Sequence, residues 1–200
     1  ATPFDKDKHF YYNQKINCLR ASGWVELGGE KFELTPDRFF AVLDWGRGVW
    51  TYHNTWYWSS ASGELDGVPF GWNLGHGFGD TAAATENALF YNGTLHKLEH
   101  INFEIPIKDG KADFLAPWRF TSSDGRFEMQ FQPVLDRAAC TDLKLLKSDQ
   151  HQASESSPEQ PFWTMEVCFR CAISSDLRKK WKTSGSLKRR FASVAAAVEH

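Results

Sequence analysis

Cysteine is scarce in this 200-residue chain, and the four present, Cys18, Cys140, Cys168 and Cys171, are scattered. That spacing excludes a disulfide framework of the kind that staples small secreted domains. Long apolar runs are missing too: no stretch reaches the roughly 18 residues of a membrane-spanning helix. No secretory leader precedes "ATPFDKDKHF", and the expected compartment is the cytoplasm. The net charge is only −2, so no basic field argues for nucleic acid. Helical periodicity of useful length is absent before residue 150, as is any repeat at fixed spacing. Phosphate-loop, dinucleotide and G-x-S-x-G strings are absent as well, so the residues imply no cofactor.

What the chain has instead is aromatic mass and turns. Nine Trp and sixteen Phe suit pleated, half-buried surfaces and ligand cavities. Turn signals recur at "LGGE" (27–30), "GELDG" (63–67), "YNGT" (91–94), "IKDGK" (107–111) and "SSDGR" (122–126). Asn-Gly and Asp-Gly between apolar runs are strong hairpin signals, because both turn residues take positive φ. The runs between them alternate with period two. In "TWYWSSAS", Trp56, Trp58 and Ser60 share one face and Thr55, Tyr57 and Ser59 the other. In "RFEMQFQPV", Phe127, Met129 and Phe131 form a dry face opposite a polar one. The expected fold is all-β, an antiparallel barrel or sandwich.

The character changes near residue 148. "KSDQHQASESSPEQP" reads as a linker, and a basic block follows at 178–190. Residues 1–152 carry a net charge of −5 and residues 153–200 one of +3. The expected organisation is one antiparallel β domain over 1–152, then a linker and basic tail over 153–200.

Five stretches could carry chemistry. In "DWGRG" (44–48), Asp44 and Arg47 could form a charge-assisted pair beside glycines that let the chain bend or a ligand approach. A carboxylate held this way in an aromatic cavity serves as a general acid or ligand anchor; the alternative is a clamp that closes a barrel. "WNLGHGFGDTAAATEN" (72–87) reads as a polar, glycine-rich rim carrying Asn73, His76, Asp80, Glu86 and Asn87. "HKLEH" (96–100) matches an inverted zinc-peptidase string, but that chemistry needs a helix. On the strand expected here, His96 and His100 stand roughly 13 Å apart at about 3.3 Å per residue, so no metal site is expected. "CFRC" (168–171) is a lone C-x-x-C, and the basic block alone reads as a solvated tail. "NGT" (92–94) matches a glycosylation sequon that a hairpin turn also explains.

Eight blocks carry a wider likeness: "FYYNQKIN", "VLDWGRGVW", "WYWSSASG", "GWNLGHGFGD", "TENALFYNGTLHKL", "LAPWRF", "FQPVLDR" and "DQHQ". In this order they resemble the domain-of-unknown-function family number 2804, over residues 10–152. The resemblance implies a calycin-like, lipocalin-type β architecture, distantly similar to carotenoid hydratases and some cofactor-free cyclases. It implies no particular reaction. It also implies a further N-terminal half as this chain's partner, so that the chain starts in mid-protein and its fold is incomplete. After "DQHQ" the family continues differently. Read from the third base of each codon, Phe162–Glu166 forces Leu-Asp-x-Gly and Lys180–Lys182 forces a Glu, which is the family's expected ending. Residues from about 153 onward are therefore expected to be an out-of-frame translation.

The function expected is binding or transformation of a small apolar or lipid-like molecule, without a cofactor or metal. Trp45, Trp50, Trp56, Trp58 and Trp72 would line the cavity, with Asn73 and Asn87 at its mouth, though not all five tryptophans can face inward. Any catalysis would be acid/base hydration, isomerisation or cyclisation. Asp44 would be the acid or anchor, Arg47 its partner, and His76 or Glu86 the second polar group. The rival class is a structural or protein-interaction module whose aromatic patch is an interface.

Overall fold

The computed structural model of the chain describes residues 1–5, 7–142, 146–157, 160–173 and 191–196, and side chains as far as residue 154 apart from 6 and 143–147. The basic block at 178–190 lies outside the described residues, as do the side chains of Cys168 and Cys171. Among the described residues there is no helix, and every strand pairing is antiparallel. The all-β expectation therefore holds. None of the described sheets closes on itself.

A seven-stranded sheet is the middle of the molecule. It contains β6 (Asn54–Leu65), β7 (Val68–His76), β8 (Ala88–Tyr91), β9 (Thr94–Lys97), β15 (Leu135–Asp142), β16 (Leu146–Ser157) and β17 (Gln160–Ile173), in the order β15-β16-β17-β6-β7-β8-β9. The stretch whose composition suggests a linker thus begins on β16. On one side lies a three-stranded sheet of β10 (Ile101–Glu104), β13 (Trp118–Ser122) and β14 (Glu128–Phe131). On the other lies a four-stranded sheet of β1 (Thr2–Pro3), β2 (Phe10–Arg20), β5 (Phe40–Val49) and β18 (Phe191–Ala196). Two small hairpins, β3 (Gly23–Leu27) with β4 (Glu30–Leu34) and β11 (Ile107–Lys108) with β12 (Lys111–Ala112), complete the strands.

The turn chemistry sets the register. Asp66 and Gly67 join β6 to β7 with φ of 52° and 75°, and Asn92 and Gly93 join β8 to β9 with φ of 48° and 74°. Both residues of each turn occupy the left-handed region that a tight hairpin turn demands. All five turn signals in the sequence fall between paired strands. His96 lies on β9 and His100 beyond its end, so the "HKLEH" string is not helical. No cluster of three or more metal-ligating side chains occurs among the described residues.

The two faces of the middle sheet differ in chemistry. Ala61, Trp72 and Leu74 face the three-stranded sheet and pack with Ile101, Trp118, Phe120, Phe127 and Phe131 into the dry core. Trp72 and Phe127 rings lie 6.1 Å apart, and Trp118 meets Phe131 at 5.6 Å. The other face presents Trp58, Ser60 and Asn73 to β2. There Asn17 Nδ2 donates to Ser60 Oγ at 2.7 Å and reaches the carbonyls of Ala61 and Trp72. One side of the sheet is thus held by apolar burial and the other by buried hydrogen bonds.

Trp118 is 1% exposed and surrounded by Phe114, Phe120 and Phe131, whereas Trp24 on the β3–β4 hairpin is 56% exposed. Trp118→Ala is expected to cost about 3–5 kcal/mol, from lost burial and the cavity left behind. Trp24→Ala is expected to cost less than about 1 kcal/mol. Urea unfolding midpoints of the two variants check the contrast; equal losses would contradict this placement of the core.

Candidate functional site

The site lies between the four-stranded sheet and the middle sheet, and strand alternation builds it. On β2, Tyr11, Asn13 and Lys15 fall on one face. Lys15 is directly opposite Asp44 of β5, and Asn13 opposite Gly46. In "DWGRG", Asp44 and Gly46 therefore turn inward, while Trp45 and Arg47 turn the other way. Trp45 meets Tyr12 edge-on at 6.0 Å, and Arg47 sits over the Tyr12 ring at 6.0 Å. Asp44 and Arg47 do not form the pair that their spacing suggests. An odd separation on a strand puts them on opposite faces, and the cation beside Asp44 is Lys15.

Lys15 Nζ lies 2.5 Å from Asp44 Oδ1 and 3.6 Å from Glu86 Oε2. Its side chain is 9% exposed, against 23% for Asp44 and 22% for Glu86. One ammonium thus serves two carboxylates from separate segments. It also lies 4.6 Å from the centre of the Trp58 ring, whose face adds a cation–π attraction. Asn13 Nδ2 donates to Glu86 Oε2. Asn73 fixes the frame around them: its Oδ1 accepts from Trp58 Nε1 at 2.8 Å, and its Nδ2 donates to the Glu86 carbonyl at 3.1 Å. Asn87 ties the same loop down, accepting from Gly75 N at 2.6 Å and donating to the Glu99 carbonyl at 2.7 Å.

Two glycines make room for this packing. A Cβ at Gly75 would lie 2.5 Å from Glu86 Oε1, so any larger residue there would displace the carboxylate. A Cβ at Gly46 would lie 2.5 Å from the Tyr11 ring, which crosses that position. Tyr11 in turn meets Phe78 at 4.8 Å and Trp50 at 6.1 Å. Phe78 is the hub of the aromatic wall, touching Phe4, Trp50 and Trp56 as well.

Burial and neighbouring charge decide the protonation states. Burial raises the Glu86 carboxyl above the ordinary glutamate value; Lys15 pulls it down and Asp44 pushes it up, with burial dominant. Burial, then the Asp44 and Glu86 charges, push the Tyr11 phenol well above its usual range. Two carboxylates beside one cation, with Glu86 holding its proton more tightly than a solvated acid, form an arrangement that can give and take a proton.

The expected site residues divide between several places. Asp44, Glu86, Asn73, Asn87, Trp50, Trp56 and Trp58 belong to this region. Trp72 lies on the opposite face of β7, in the dry core, where its Nε1 donates to Ser59 Oγ at 2.9 Å. His76 shares that opposite face, is exposed, and stands 6.5 Å from Tyr57. Of the two candidates for the second polar group, Glu86 is beside Asp44 and His76 is not. Tyr11, Asn13, Lys15 and Phe78 are absent from the residues expected from sequence. The first three had a signal: "FYYNQKIN" places Tyr11, Asn13, Lys15 and Asn17 at period two, a largely polar set on one strand face. Phe78 had none, because its partners come from several elements.

Replacing Lys15 by Met leaves two part-buried carboxylates without their cation. The expected loss of stability is about 3–5 kcal/mol. Glu86 makes the stability depend on pH. Its value is higher folded than unfolded, so its contribution is fully present below the unfolded glutamate value and is lost as pH rises through the raised one. Unfolding midpoints across that window are expected to fall less steeply with pH in Glu86→Gln than in the parent. Parallel profiles would contradict the raised Glu86.

No curated protein and no solved structure matches the chain. A family profile, that of the domain of unknown function DUF2804, matches residues 1–154. That span covers every described side chain of the polar site, and the chain belongs to the DUF2804 family.

Proposed function

We propose that the chain binds a small apolar or amphipathic molecule between these two sheets and transforms it by acid/base chemistry without a cofactor. The observation that carries the reading is one lysine shared by two carboxylates, Asp44 and Glu86, beside a wall of Trp50, Trp56, Trp58 and Phe78. Aromatic faces suit an apolar body, and a few convergent polar groups fix its orientation. In this reading Glu86 delivers a proton, Lys15 steadies the charge left on its carboxylate, and Asp44 holds Lys15 in place. Hydration, isomerisation or cyclisation of a lipid-like molecule fits such a proton donor. A calycin-like architecture, which the sequence resemblance implies, would suit the same reading, and its place of action would be the cytoplasm.

Native mass spectrometry of the full chain is expected to find a co-purified lipid-like mass that denaturation releases. Added oleate is expected to bind and change tryptophan emission. Trp56→Ser should weaken oleate binding about tenfold or more, from the lost aromatic burial. Glu86→Gln should keep binding and accumulate the unconverted molecule. A folded chain that carries no small molecule and ignores oleate would contradict the proposal and leave the cluster as a staple between sheets.

A further inference from the structure

The stretch "GHGFGD" (75–80) holds two glycines that the polar site does not use, Gly77 and Gly79, one on each side of Phe78. Both take positive φ, 86° and 76°. A Cβ at either would lie 2.7 Å from a backbone oxygen, that of Thr55 or that of Pro3. Glycine lets the chain turn this tightly against two strands. The turn delivers the Phe78 ring into the middle of four others: Phe4 at 5.2 Å, Tyr11 at 4.8 Å, Trp50 at 5.9 Å and Trp56 at 5.0 Å. All four stand at 60° or more to its plane.

We infer that Phe78 is a plug in a ring-sized chamber: the ligand carries an apolar six-membered ring, which binds among Phe4, Tyr11, Trp50 and Trp56 by taking the place of Phe78. This rests on the proposed binding of a small apolar molecule between the two sheets, and adds the class of that molecule. Four steep walls, 4.8–5.9 Å from one centre, enclose a compact disc rather than a tunnel. A ring fills such a space and a single alkyl chain leaves much of it empty. None of the five rings is fully buried, whereas Trp118, Phe120 and Phe131 in the dry core are 1% exposed or less. The plug therefore sits where a ligand can reach it from solvent.

The plug can leave without disturbing its anchors. β7 ends at His76, and Asp80 N donates to the Pro3 carbonyl at 2.7 Å, so only residues 77–79 lie between two fixed points. Rotation at the two glycines swings Phe78 while both points stay paired. The chamber also stands at a useful reach from the acid. Tyr11 and Asn13 share a face of β2 two residues apart, about 7 Å, and Asn13 donates to Glu86. A ring beside Tyr11 thus brings the chain attached to it, rather than the ring itself, to Glu86.

The test is NMR of the full chain with isotope-labelled phenylalanine rings, the Phe78 signals being assigned by their loss in Phe78→Leu. Two ten-carbon alcohols are compared, 4-cyclohexyl-1-butanol and 1-decanol, with oleate as the control for ligand binding itself. The straight chain has more apolar area to bury, so a preference for the cyclic alcohol reads the shape of the chamber. The cyclic alcohol is expected to bind about tenfold tighter than the straight one. It should move the Phe78 signals towards those of a solvated ring and leave Phe120 and Phe131 in place. Phe78→Ala removes the ring that must be displaced, and should bind the cyclic alcohol about tenfold tighter than the parent does. Phe78→Leu should change affinity in the same direction, and serves if Phe78→Ala does not fold. Oleate binding without a preference for the cyclic alcohol, or with Phe78 unmoved by it, would overturn the inference and leave the proposed ligand binding standing. Weaker binding of the cyclic alcohol in the folded variants would do the same. Failure of oleate and both alcohols alike would overturn both.

Discussion

One ammonium group between two carboxylates is the constraint around which this half of the molecule is arranged. Lys15 comes from β2, Asp44 from β5, and Glu86 from the loop that follows β7. Bringing three charges out of water is costly unless each finds a partner. The surrounding residues supply that: Asn13 donates to Glu86, Trp58 offers its face to Lys15, and Asn73 and Asn87 hold the loop. Gly75 and Gly46 follow from the same need, since any side chain there would occupy the space of Glu86 or Tyr11.

The middle sheet separates this polar layer from the dry core. Alternation along β6 and β7 sends Trp58, Ser60 and Asn73 to one side and Ala61, Trp72 and Leu74 to the other. The apolar side supplies the larger share of burial, through Trp118, Phe120 and Phe131. The polar side contributes position more than cohesion, because a charge cluster with satisfied hydrogen bonds tolerates few alternative packings. A rigid apolar layer behind a polar one gives proton-transfer groups fixed geometry.

Much of the strand framework is legible in the sequence because turn chemistry and period two are local. Asp66-Gly67 and Asn92-Gly93 announce their hairpins, and "RFEMQFQPV" announces its dry face. Asp44 and Glu86 are legible as acids near aromatics, but their cation is not. Sequence spacing favours Arg47, three residues from Asp44; the pleat sends it to the opposite face, and the cross-strand register puts Lys15 there instead. Trp72 and His76 are misplaced for the same reason: composition names the residue, and only register tells which side of the sheet it serves. The contact of Asp136 Oδ2 with His151 Nδ1, 2.8 Å apart, joins two sequence blocks that become neighbours only when β15 pairs with β16.

Glu86 is the centre of the account, since burial must outweigh the pull of Lys15 for it to keep a proton above the ordinary carboxylate range. The most direct measurement is the titration of its side-chain carboxyl by carbon NMR in the folded full chain. The account predicts a midpoint above that of a solvated glutamate, moving down in Asp44→Asn as the like charge is removed. A midpoint at or below the ordinary glutamate value would mean that Lys15 dominates, and would leave the pair of carboxylates as a structural clamp.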